Sequence, residues 1–116
     1  MKKERYQQTV DILGIEYRID EVDSVSKTEP LLGHIDFLKQ VIQIDRSLST
    51  EKKEETLLHE ILHGIAEATG LDDVLSEQVV QILSRILFDL FKRQKLISSW
   101  MVSEKELSPQ QSLNSY

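Results

Sequence analysis

Residues 59–63 read His59-Glu60-Ile61-Leu62-His63, and their spacing constrains the fold more than any other feature of the chain. Two imidazoles four positions apart meet when the segment is an α-helix, where such residues lie one turn above each other. There they can reach one metal ion with Glu60 beside it. The flanking residues agree with a helix. Ser49 and Thr50 are N-cap candidates, Glu51 falls in the first turn, and neither Pro nor Gly interrupts the run from Glu51 to His63. Leu58, Ile61, Leu62 and Ile65 recur at the spacing of a buried face, with both histidines on its flank. A flank position suits a ligand, being desolvated on one side and open to substrate on the other. Either histidine alone would read as an ordinary satisfied residue, and the EKKEE run from Glu51 to Glu55 as a solvated helix face. As a set, the pentad implies a zinc-dependent hydrolase. In such a site Glu60 takes a proton from metal-bound water and passes it to the leaving amine.

A chain of 116 residues, 40% hydrophobic and 29% charged, suits one compact domain with a modest core. The net charge of −6, with Lys and Arg interspersed among acids, argues against nucleic acid as a partner. The lack of cysteine removes disulfides and thiolate metal sites, which leaves His, Asp and Glu as ligands and favours a catalytic over a structural ion. The charged start MKKERYQQ, with no long apolar stretch after it, predicts neither a secretion signal nor a membrane span, and hence cytoplasmic residence. Oligomeric state is left open by the apolar helices.

No internal repeat is visible. Val10 to Val22 reads as an extended segment with a kink at Gly14, its first residues alternatively forming a short helix. Residues 23–30 are polar and aperiodic, as in a loop. Leu32 to Phe37 and Gln40 to Asp45 are β-prone runs that fit a hairpin turning near Leu38 and Lys39, with Ile35 and Phe37 on one face and Ile42 and Ile44 on one face. After the motif, Gly70 marks a helix stop and Leu71 to Leu75 a connection containing Asp72 and Asp73. A second long helix is predicted next. Its stripe of Val79, Val80, Leu83, Ile86, Leu87, Leu90 and Phe91 is expected to be core, with Lys92, Arg93 and Lys95 at its C-terminus. The expected fold class is therefore α+β: a small antiparallel or mixed sheet, including the hairpin at about 32–45, packed on two long helices. Residues 1–97 form one domain in this reading, and 98–116 a polar tail docked locally by Trp100 and Met101.

A catalytic zinc takes three protein ligands and a water, so His59 and His63 need a partner. The candidates are His34 on the hairpin, Glu67 one turn beyond His63, Asp72 and Asp73 in the connection, and Glu77 at the start of the second helix. Glu67 would approach along the axis of the helix that already supplies two ligands, and the aspartates suit turns or caps. Glu77 lies on the flank of the second stripe, so two helices packed through their stripes would bring it to the histidines. A glutamate in a first helical turn also favours the helix dipole without any metal.

The order of these features, a hairpin ending in VIQID, a polar cap, ETLLHEILHGI, a short loop and SEQVVQIL, resembles the small phage-borne and prophage zincin-like metallopeptidases. It is also similar to the minimal gluzincins and the ImmA/IrrE-type proteins, and covers roughly Gly14 to Phe91. The resemblance implies a zincin-like domain, His59, His63 and Glu77 as zinc ligands, Glu60 as general base and acid, and a peptide or protein as substrate. It further implies that the edge strand of the hairpin aligns substrate by backbone hydrogen bonds. His34 and Tyr17 are candidates to polarise a carbonyl, each equally explained as a strand residue. The alternative from another class is a catalytically silent module of the same fold that acts by protein contact.

Overall fold

A computed structural model describes residues 8–95. The first strands, β1 (Gln8–Ile12) and β2 (Ile15–Val22), are antiparallel neighbours joined at Leu13 and Gly14. Both turn residues have positive φ, 50° and 93°, and the Gly14 N–H donates to Asp11 Oδ1 at 2.6 Å. This is a two-residue hairpin turn, whose twist matches that of paired strands. The single kinked segment expected at Gly14 is thus corrected: the chain doubles back, and a Leu-Gly pair lacks the Asn-Gly signature that would have announced it.

β3 (Gly33–Asp36) and β4 (Val41–Asp45) form the expected antiparallel hairpin. Its turn is set by Asp36, whose Oδ1 accepts from the Leu38 and Lys39 N–H groups, and by Gln40 in the left-handed region. β4 also pairs with β2 in parallel, giving a mixed four-stranded sheet in the order β1-β2-β4-β3. β3 is therefore an edge strand.

The register fixes the two faces. Val10↔Tyr17, Ile19↔Ile42 and Ile35↔Ile42 place apolar residues from all four strands together on one side. Ile12, Tyr17, Ile35, Ile42 and Ile44 are buried there, packed by Leu57, Ile61 and Ile65 from helix α1 (Thr50–Thr69). The opposite side carries polar pairs such as His34↔Gln43 and the Arg18–Asp20 ion pair.

Helix α1 starts as expected. Ser49 is the N-cap, its Oγ accepting from the Lys52 N–H, and Gly70 closes the helix at φ 75°. Lys53 ties the first turns to β2 through Glu21 at 2.7 Å. The core-facing stripe differs by one position from expectation: Leu57, not Leu58, joins Ile61 and Ile65 against the sheet. Gly64 faces the sheet, where a Cβ would lie 2.6 Å from Ile12 Cδ1, the far end of a flexible side chain.

Helix α2 (Glu77–Phe88) corrects the second long helix: it has 12 residues and passes into a π-helical turn, Asp89–Arg93. Its apolar stripe is not one buried band either. Val80 is fully buried, while Val79, Ile86 and Phe91 of the same stripe are exposed. Seven apolar residues over that length span more than one helix face.

Backbone contacts divide the chain after Ser84. In the part from Arg85, Asp89 pairs with Arg93 across one turn. The tail expected at 98–116, with Trp100 and Met101, lies outside the described residues. No helix among the described residues is long and apolar enough to cross a membrane.

Candidate metal centre

The sheet, α1 and the start of α2 border a cleft of about 440 Å³. Helix α1 supplies Thr56, His59, Glu60 and His63 to it, and the segment Pro30–Ile35 forms the facing wall. Glu77 enters from the first turn of α2, which Ser76 opens by accepting from the Val79 N–H.

Three donors converge. His59 Nε2 lies 3.2 Å from Glu77 Oε2, His63 Nε2 lies 2.9 Å from Glu77 Oε1, and the two Nε2 atoms are 3.2 Å apart. Among the described residues, His59, His63 and Glu77 form a group whose ligand atoms all lie within 4.8 Å of one another. On a tetrahedral ion with bonds of ~2.0–2.1 Å, two donors stand about 3.3 Å apart, so the spacing fits such an ion. The proton count points the same way. If each Nε2 donates to Glu77, no proton remains for the Nε2–Nε2 approach, whereas a cation among the three donors would hold all of them.

Burial differs across the group. Both imidazoles are largely buried, while the Glu77 side chain is 70% exposed and so open to an entering ion. Burial lowers the His59 pKa, against the opposing pull of the Glu77 carboxylate, and so favours the neutral imidazole that ligates metals.

Glu60 stands beside the cluster at 7% exposure. Desolvation, with repulsion from Glu77 second, pushes its carboxyl from the ordinary 4.5 up to about 7. A carboxyl that titrates near neutrality can both take and return a proton there. Its place depends on Gly33. A Cβ at Gly33 would lie 3.3 Å from Glu60 Oε2 and 2.6 Å from Thr56 Cγ2. Bare backbone at the head of β3 therefore lets the edge strand lie against the motif helix.

The other candidates separate from this group. His34 borders the cleft, but the register puts it on the sheet face opposite Gly33 and Ile35. Tyr17 is buried at 3% exposure in the core and is not among the residues bordering the cleft, and burial raises its pKa with the nearby Glu67 charge adding to the effect. Glu67, Asp72 and Asp73 are exposed and stand outside the donor group. Sequence reasoning passed over Gly33 and Thr56. One signal existed, a lone glycine within a β-prone run, which marks a close approach of backbone to another group.

Comparison with protein-family models, with curated proteins and with solved structures gives no match.

Proposed function

We propose that the chain is a small zincin-like zinc metallopeptidase acting on a peptide or protein substrate. The observation that carries this reading is the convergence of His59, His63 and Glu77 from two helices beside a buried Glu60 in an open cleft. A zinc ion held by the three side chains would supply Lewis acidity, lowering the pKa of a water molecule and polarising a substrate carbonyl.

The remaining work falls to the protein. His59 and His63, on successive turns of α1, keep their Nε2 atoms directed at one point. Glu77 completes the donor set from a second helix, so the site forms only when α1 and α2 are both in place. A Glu60 carboxylate oxygen takes a proton as the water oxygen adds to the carbonyl carbon. The same oxygen returns that proton to the leaving nitrogen as the C–N bond breaks. Partial burial of the cleft strengthens both transfers by excluding bulk water. Among the described residues β3 is at the edge of the sheet, a position that suits alignment of an extended peptide by main-chain hydrogen bonds.

The test is cleavage of a mixed peptide pool by zinc-loaded protein, read by mass spectrometry against Glu60→Gln. The reading predicts cuts that vanish in the variant while its zinc content stays unchanged. Equal cutting by the two proteins would remove Glu60 from the chemistry, and no cutting by either would remove the peptidase assignment.

A further inference from the structure

The wall of the cleft opposite α1 carries large apolar side chains that the fold leaves partly open. Leu31 and Leu32 precede β3 and Phe37 follows it; all three border the cleft and are 37–41% exposed. Between them, at Gly33, the wall is bare backbone held against Glu60 and Thr56. The cleft thus has an apolar contact near each end of a short edge strand and none where the strand passes Glu60. Apolar surface bordering a polar cluster within one concavity marks ligand contact rather than core, because the fold itself gains nothing by leaving it open.

We infer that the cleft selects peptide segments carrying bulky aliphatic or aromatic side chains. Leu31 and Leu32 take the side chain at one end and Phe37 the one at the other. This rests on the peptidase reading for the choice of a peptide as occupant, and adds which peptides.

The test is a binding measurement on the full-length, zinc-loaded Glu60→Gln protein, which keeps the cleft without cutting. Two short labelled peptides of Gly, Ser and Ala are compared by fluorescence anisotropy. One carries Leu on each side of its central bond and the other Ser. The Leu peptide is expected to bind on the order of tenfold or more tighter than the Ser peptide. Leu31→Ser and Phe37→Ser, at partly exposed positions, should each erode the preference for Leu. Equal affinities, a preference that neither substitution alters, or no binding of any peptide would overturn the inference. Cleavage of the Leu peptide by the unsubstituted protein is scored separately. Selective binding without cleavage would sink the peptidase reading and leave the selectivity standing, whereas Glu60-dependent cleavage without selectivity would do the reverse.

Discussion

Glu60 holds a buried carboxyl whose pKa is raised from 4.5 to about 7, and that shift has a signature in stability. The folded state binds the Glu60 proton more tightly than the unfolded state does. The resulting stabilisation is complete below about pH 4.5 and is lost as pH rises through about 7. In metal-free protein, urea unfolding of the unsubstituted chain against Glu60→Gln should show a difference that changes by ~3 kcal/mol over that window, with Gln relatively better at the upper end. His59, whose pKa burial lowers, contributes in the opposite sense, and the comparison with the variant largely cancels it. A difference independent of pH would mean that Glu60 is not buried as described. Two glycines make a second residue-scale prediction. At Gly33 an added methyl meets Thr56 Cγ2 at 2.6 Å, a branched group on a helix, so Gly33→Ala should cost about 1–3 kcal/mol. Thr56→Ser, which removes that methyl, should recover part of the loss in the double variant. At Gly64 the nearest atom is the far end of Ile12, which can turn aside, and alanine gains helix propensity, so Gly64→Ala should be close to neutral. Equal denaturation midpoints for the two alanine variants would contradict the packing of β3 on α1. At this scale His59, Glu60 and His63 were legible because their chemistry resides in residue type and spacing. Gly33 was not, because its contribution is a missing side chain whose effect depends on what lies opposite.

Helix α1 was the most legible element, since local signals of three kinds agree on it. Ser49 caps the start, Ile61, Leu62 and Ile65 recur at helical spacing although Leu57 rather than Leu58 completes the face on the sheet, and Gly70 adopts the left-handed stop. The cap can be tested directly. Ser49→Ala should lower stability by ~1 kcal/mol through loss of the bond to the Lys52 N–H, while Ser49→Asp should retain it. An alanine variant as stable as the parent in urea would show that the cap contributes nothing. The hairpin at 33–45 was legible for a related reason: alternating β-prone runs flank Asp36, whose side chain builds the turn. The β1–β2 hairpin escaped because its turn residues, Leu13 and Gly14, carry no such signal, and an apolar residue at positive φ is not anticipated from sequence. The second helix was over-extended for a physical reason as well. A continuous apolar pattern from Val79 to Phe91 has helical spacing, but spacing does not reveal where α-helical hydrogen bonding gives way to a π-turn.

For the whole molecule, the class of architecture followed from the pattern of elements, while the sheet order did not. Placing β4 between β2 and β3, parallel to one and antiparallel to the other, depends on contacts between segments far apart in the chain. That topology nevertheless creates the site. It leaves β3 at the edge beside α1, and the connection after Gly70 then returns Glu77 to the two histidines, 14 positions after His63. The proposed centre is therefore a tertiary feature assembled from a local motif and one distant carboxylate. Its existence is open to a direct measurement: zinc per chain by elemental analysis of full-length protein purified without chelators, for the parent, Glu60→Gln, His63→Ala and Glu77→Ala. About one zinc per chain is predicted for the parent and for Glu60→Gln, with marked loss in His63→Ala and Glu77→Ala that remain folded by circular dichroism. A parent that takes up no zinc even when it is supplied, or folded His63 and Glu77 variants that retain the full complement, would contradict the account.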